Sequence, residues 1–313
     1  HSFPTRRSSD LAVWQSFGIQ PDALIGHSVG ELSAACVGGA LSLEQALQLA
    51  CWRGGFMQPT QGHGGMLALE LHQREQRAAI VTLLADQQVA SVQIAADNSP
   101  LELVLSGDPQ QLAQLEEQLQ PLVARLHRLS GAYGFHSPLM QQPALQLRHA
   151  LQEQPLPARS LQIPLLSTVT ASWLEGSQLT AEYWQRNARE PVAFGRAVEQ
   201  ALGLAAREEE MVFLEIGPHP VLGSSIQHQA RQQGVQVRVL ASGRRNQGEM
   251  GTMLRSLGQF YRLGWQLHWQ AIVPPARLVP LPAYPWQRQR FWITERQASG
   301  RSEEHTSELQ SRH

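Results

Sequence analysis

The sequence predicts an α/β fold: a mostly parallel sheet covered by helices on both faces, with a small mixed unit inserted. Three observations predict it. The apolar run Asp22-Ala23-Leu24-Ile25 enters the tight turn Gly26-His27-Ser28-Val29-Gly30, and the helix-forming stretch Glu31-Leu32-Ser33-Ala34-Ala35-Cys36 leaves it. Buried-strand patterns at 164–168, 212–215 and 237–240 are separated by helical stretches, the order a parallel sheet requires. Between 66 and 129 the order becomes strand, helix, strand, strand, helix, strand, which is that of a ferredoxin-like unit.

In order along the chain, residues 11–17, closed by Gly18, read as a helix end. Strand, turn and helix around Ser28 then have the shape of a nucleophile elbow. Such a turn pushes the serine oxygen above the sheet edge. The helix N-terminus that follows offers N–H groups and a positive dipole end to a developing oxyanion. Ser42-Leu43-Glu44-Gln45 is a capping box that starts the next helix. Residues 43, 46, 47, 50, 54 and 57 keep helical spacing on one face, with Arg53 at its edge. By residue type alone Arg53 reads as a solvated charge near a helix C-terminus, where cations are favoured.

Gly62-His63-Gly64-Gly65 reads as a hinge, not a phosphate loop. Strands follow at 66–70, 92–96, 102–106 and 125–129, with helices at 73–84 and 108–119. Asp97-Asn98-Ser99-Pro100 is the turn between the middle strands, and Asp108 is the expected N-cap. His136, in Tyr133-Gly134-Phe135-His136-Ser137-Pro138, lies on a loop after a strand and is free to point into a cleft. A lone histidine is more often structural than catalytic. Gly217-Pro218-His219-Pro220 is a turn after a strand. Beyond 266 the chain is rich in proline and aromatics, and reads as an ordered linker whose aromatics cover a surface.

The expected organisation is a large subdomain over 11–63 and 131–265, a small subdomain over 64–130, a linker over 266–293 and a tail over 294–313. Residues 1–10 and 301–313 are rich in Ser, Arg and His and have no period. They resemble translated sequencing-adapter sequence and are set aside from fold reasoning, which makes an N-terminally truncated domain the expectation.

With 313 residues, 42% hydrophobic and 16% charged, the chain can bury a sizeable core. A net charge of −1 argues against a general nucleic-acid binder. Two cysteines, Cys36 and Cys51, give neither a disulfide framework nor metal-ligand spacing, so the cytoplasm is the expected compartment. No apolar run approaches the roughly 20 residues of a membrane span.

Taken together, the chain resembles the acyltransferase domain of modular type I polyketide synthases, kin to malonyl-CoA:acyl-carrier-protein transacylases. The resemblance rests on Gly26-His27-Ser28-Val29-Gly30 and Gly134-Phe135-His136-Ser137. It rests also on Tyr183-Trp184-Gln185-Arg186-Asn187 through Pro191-Val192, and on Phe213 through Leu222. The proline-rich end resembles the linker that follows such domains. The resemblance runs from about 12 to 293 and implies an α/β-hydrolase-like large subdomain with a ferredoxin-like insertion.

It also implies roles. Ser28 would be the nucleophile and His136 the general base. The backbone carbonyl of Asn187 would orient the histidine, as an aspartate does in a triad. Arg53 would pair bidentately with the free carboxylate of a malonyl group, and the Val29 N–H would be one oxyanion donor. The reaction would be ping-pong transfer from malonyl-CoA to the phosphopantetheine thiol of an acyl carrier protein, with a ketosynthase and other synthase domains alongside. No metal or bound cofactor is implied.

The sequence departs from the family in lacking the segment that carries a further oxyanion element, a glutamine in a loop after the first strand. Fragment inactivity is the corresponding expectation. Around the histidine, malonyl-selecting domains resemble His-Ala-Phe-His and methylmalonyl-selecting ones Tyr-Ala-Ser-His. Tyr133-Gly134-Phe135-His136 is mixed. Phe135 would fill the space of an α-methyl, and Val29 also fits the malonyl type, so malonyl is expected. Two alternatives stay open. One is an esterase- or thioesterase-like hydrolase using Asp97 or Asp108 in the order Ser, acid, His. The other is an inactive scaffold.

Overall fold

A computed structural model describes residues 4–85, 90–204, 211–273, 275–277, 279–289 and 291, with the side chains of 4–8 outside that description. The chain divides after Val273 into two units.

In the first unit, helix α1 (Pro4–Ser16) begins inside the stretch set aside on sequence grounds. Its apolar residues have a partner surface. Leu11, Trp14 and Phe17 share a core with Leu240, Met253, Leu257 and Phe260, and the fully buried Trp14 donates its indole N–H to Ser242 Oγ at 3.0 Å. Strand β1 (Leu24–Ile25) leads to α2 (Gly30–Val37) and α3 (Leu43–Met57). The capping box forms as predicted: Gln45 N–H donates to Ser42 Oγ, and Ser42 N–H donates to Gln45 Oε1. The buried stripe of α3 is Ala46, Leu49, Arg53 and Met57, while Leu43 is exposed. The predicted face is therefore rotated, and Arg53 lies within the stripe. A reading by hydrophobicity rejects a charged residue there by type.

The small subdomain follows the predicted order. It comprises β2 (Gly65–Leu71), α4 (Gln76–Leu84), β3 (Gln93–Ser99), β4 (Glu102–Gly107), α5 (Pro109–Leu119) and β5 (Val123–Arg128). The strands lie in the order β3-β4-β2-β5, all antiparallel. Asp108 caps α5 by accepting from Gln110 N and Gln111 N, with Pro109 in the first turn. One face of the sheet buries Leu67, Leu69, Leu103 and Leu105 under Ile80, Leu112 and Leu115. Ala95, Ala96 and Val104 instead meet Val192, Phe194, Val198 and Ile226 of the large subdomain.

The large subdomain resumes with α6 (Gln141–Glu153), β6 (Leu165–Leu166), β7 (Trp173–Leu174), α7 (Ala181–Arg189) and α8 (Phe194–Leu202). It continues with β8 (Met211–Glu215), α9 (Gly223–Gln233), β9 (Val237–Ala241), α10 (Glu249–Arg262) and α11 (Trp269–Ile272). The predicted parallel sheet takes the form of two parallel pairs, β1 with β6 and β8 with β9, and β7 adds antiparallel to β6. The strand expected at 164–168 keeps only two ladder residues. Ser167 and Thr168 turn their hydroxyls to Tyr183 and Glu31 instead.

Leu267 is buried and the His268 N–H donates to Phe17 O at 2.9 Å, so the first unit continues beyond 266, where the linker was expected to start. In the second unit Tyr284 and Trp286 meet edge to face at 4.9 Å. Residues 1–3, Arg290, Trp292 and the tail at 294–313 lie outside the described residues. Among the described residues no helix is long and apolar enough to cross a membrane.

Candidate active site

The site is assembled from two backbone turns. Ser28 stands between β1 and α2 with φ 54°, and His136 stands on its loop with φ 57°. Left-handed backbone costs a non-glycine residue about 1–3 kcal/mol and persists where surroundings over-determine it. At Gly26 a Cβ would lie 2.4 Å from both N and Cα of Glu31. Only glycine lets the strand pass the helix start so closely. Gly26→Ala is therefore expected to destabilise by about 1–3 kcal/mol or more through overpacking. Thermal unfolding checks this, and an unchanged midpoint contradicts it.

The histidine loop is seated the same way. A Cβ on Gly64 would lie 2.1 Å from Gly134 N, so the predicted hinge abuts the loop backbone to backbone. Gln93, from the small subdomain, donates its side-chain N–H to His136 O. His27 Nε2 lies 2.9 Å from Asn98 Oδ1 on the same subdomain.

Ser28 Oγ lies 2.6 Å from His136 Nε2, and His136 Nδ1 lies 2.7 Å from the main-chain carbonyl of Glu190. A carbonyl only accepts, so Nδ1 carries the proton and Nε2 is the lone-pair nitrogen facing the serine. The orienting carbonyl thus belongs to Glu190 and not to Asn187. Asn187 lies within α7, whereas Glu190 precedes Pro191, takes φ −77° and ψ 157°, and leaves the helix. The residue before a proline is pushed out of the helical region, which turns its carbonyl aside. Val192 then pairs with β3 through its N–H to Ala95 O and its carbonyl from Asp97 N–H, fixing the segment.

Asn187 enters the site by its side chain. Its Nδ2 donates to Ser28 O at 3.2 Å and to Glu31 Oε2 at 2.9 Å, and its Oδ1 accepts from Arg53 Nη1 at 2.6 Å. Arg53 Nη2 donates to Ser28 Oγ at 3.2 Å. Arg53 is 6% exposed, against the solvated reading of its type. Burial lowers its pKa to about 10, while the charge of Glu31 raises it; the guanidinium stays cationic at neutral pH. Burial first, then the Arg53 charge, brings His136 down to about 3, so its imidazole is neutral at ordinary pH.

Val29 is the N-cap residue of α2, and among the described residues none accepts its N–H. Phe135 and Tyr133 stack face to face at 5.0 Å and 11°. Phe135 also packs against the core that holds Leu32 and Met140. The two rings stack as one unit, so a change in either shifts the other. The carboxylates of a hydrolase-type triad are engaged elsewhere: Asp97 pairs with Arg77, and Asp108 caps α5. Among the described residues no cluster of three or more His, Cys, Asp or Glu is placed to hold a metal.

Sequence reasoning missed Glu31, Thr168, Tyr183, Glu190, Gln93 and Asn98. Glu31 carried a signal, being the sole charge in an otherwise apolar helix of small residues. Pro191 was the signal for Glu190.

The chain is 36% identical over 282 residues to polyketide synthase GfsB of Streptomyces halstedii, covering 90% of this chain and 5% of that protein. It is 34% identical over 284 residues to erythronolide synthase EryA2 of Saccharopolyspora erythraea, covering 90% and 8%. The chain thus spans a small fraction of the curated relatives it matches. Its fold is similar to the acyltransferase domain from module 8 of the salinomycin polyketide synthase, with TM-score 0.77, 29% identity, and coverage of 87% of this chain and 62% of that one. A loading acyltransferase from the avermectin modular polyketide synthase superposes with TM-score 0.74 at 30% identity, covering 83% and 78%. Residues 7–266 match the acyl transferase domain model, and the chain belongs to the acyl transferase domain family.

Proposed function

We propose that this domain moves a malonyl unit from coenzyme A to the phosphopantetheine thiol of an acyl carrier protein, within a cytoplasmic polyketide synthase that also carries a ketosynthase. The observation that carries the reading is the buried Arg53 guanidinium with Nη2 3.2 Å from the Ser28 oxygen. A cation beside the nucleophile has no task in transferring a neutral acyl chain. A planar fork there suits an acyl group that ends in a carboxylate.

In the first half-reaction Ser28 Oγ attacks the thioester carbonyl and its proton passes to His136 Nε2. The oxyanion faces the Val29 N–H and the α2 terminus. Collapse breaks the C–S bond, and His136 returns the proton to the departing thiolate. In the second, the carrier thiol gives its proton to His136, attacks the acyl-serine ester, and Ser28 recovers the proton. No bound cofactor takes part, because the thioester is already activated.

The test, run on the full acyltransferase domain, is loading by equimolar malonyl-, methylmalonyl- and acetyl-CoA, read by intact mass, followed by addition of holo carrier protein. Malonyl-serine and transfer to carrier are expected, and the Phe135–Tyr133 wall is expected to favour malonyl over methylmalonyl by about 10–200-fold. Release as free malonate would make the protein a hydrolase, and equal loading of the two extenders would refute the selectivity. Arg53→Ala removes a charge-assisted pair worth about 1.5–3 kcal/mol. The malonyl-to-acetyl ratio should fall by roughly 10–150-fold, and an unchanged ratio contradicts the carboxylate-binding role.

A further inference from the structure

Glu31 is fully buried on the first turn of α2; its main-chain N–H donates to Ser28 O at 3.1 Å, but its carboxylate is hydrogen-bonded to neither Ser28 nor His136. Its Oε1 accepts from the Thr168 main-chain N–H and lies 2.6 Å from the Thr168 hydroxyl. Its Oε2 accepts from Tyr183 Oη at 2.6 Å and from Asn187 Nδ2 at 2.9 Å. Burial pushes the Glu31 pKa up and these hydrogen bonds pull it down. Tyr183 Oη has a second neighbour, Ser167 Oγ, at 2.8 Å. A buried carboxylate is costly unless every lone pair has a donor, and this one is surrounded by donors.

The consequence lies one residue further on. An amide can stand either way round, and Glu31 is the charged acceptor among the groups that decide which. Asn187 Nδ2 is held between two acceptors, Glu31 Oε2 and Ser28 O, so Oδ1 must face the opposite side. That side is Arg53, which carries donors only. The chain Glu31 to Asn187 to Arg53 to Ser28 is then a single hydrogen-bonded line in which each link has one polarity.

We infer that Glu31 is a positioning residue: by fixing the orientation of the Asn187 amide it sets Arg53 beside Ser28 and thereby sets the preference for acyl groups bearing a free carboxylate. The inference rests on the reading of Arg53 as the carboxylate partner. Glu31→Gln puts an amide where the carboxylate was. With its N–H₂ toward Asn187, two donors face each other, and relief requires Asn187 to turn over. Its N–H₂ then faces the guanidinium, which loses its acceptor and is displaced.

The test compares dissociation constants of oxygen-for-sulfur analogues of malonyl-CoA and acetyl-CoA, measured by calorimetry, so that turnover is not needed. For Glu31→Gln the ratio of acetyl to malonyl constants is expected to fall by about 10–150-fold, the scale of a lost hydrogen bond to a charged group. Asn187→Ala, which leaves Thr168 and Tyr183 on Glu31, is expected to lower it similarly and serves if Glu31→Gln does not fold. The double variant Glu31→Gln with Asn187→Asp exchanges amide and carboxylate. It restores an acceptor to Arg53 and a donor–acceptor pair between positions 31 and 187, gives up the bond from residue 187 to Ser28 O, and is expected to recover part of the ratio. A purely packing role for Glu31 would show equal weakening of both analogues and no recovery, and that result overturns the inference. Arg53→Ala separates the two readings. If it leaves the ratio unchanged, the carboxylate role of Arg53 fails. If it lowers the ratio while Glu31→Gln and Asn187→Ala do not, the positioning role alone fails.

Discussion

Ser28→Ala is expected to abolish acyl-enzyme formation from malonyl-CoA outright. The substitution removes the single oxygen that Arg53 and His136 both address, at 3.2 and 2.6 Å, and leaves the rest of the line in place. Alanine and serine are equally strained at φ 54°, so the backbone term largely cancels between the two proteins. The Asn187 bond to residue 28 is made to its main-chain carbonyl and survives the change. The melting temperature should accordingly move little while labelling disappears. Intact mass after incubation with malonyl-CoA is the measurement, and a stable acyl adduct in the variant would place the nucleophile elsewhere.

His136→Ala should slow acylation by roughly 10²–10⁴-fold, the range for loss of a general base. The pH profile carries the more particular expectation. Burial and the Arg53 charge hold this imidazole at about 3, so the base form is already filled at ordinary pH. The kcat/KM profile of the free enzyme should therefore stay level as pH falls past the usual histidine value of about 6.5. An inflection at that value would mean a solvated base. The same depression governs stability. Between the unfolded value and about 3, the unfolded chain binds a proton here that the folded chain does not. Acidification through that window destabilises the fold by at most about 1.4 kcal/mol per pH unit, and the contribution is fully recovered above the unfolded value.

What the sequence made legible was local. The elbow, the capping box at Ser42 and Gln45, the Asp108 cap and each strand and helix of the small subdomain depend on residues a few positions apart, and each is present in the structure. The Ser28–His136 contact came from the family resemblance, because nothing within either segment specifies a partner so distant in the chain. Arg53 was placed at the edge of its helix because hydrophobic periodicity treats every charge as a surface residue. Its burial follows from partners on α7 that no local pattern announces. The Glu31 cluster draws on positions 31, 168, 183 and 187, which only the folded chain brings together. Glu190 is the instructive case. Pro191 was visible beside it, and the proline rule applied to that one peptide would have moved the orienting carbonyl from Asn187 to Glu190.

That carbonyl has a consequence for how the domain tolerates change. A main-chain oxygen is common to every amino acid, so no missense codon at position 190 can delete the group that aligns the base. The Glu190 side chain points to other business, an ion pair with Arg186 at 2.9 Å. Drift at 190 is therefore expected to be nearly silent for histidine alignment. The genetic weak point shifts one codon along, to Pro191, whose ring keeps residue 190 out of the helix and the oxygen on target.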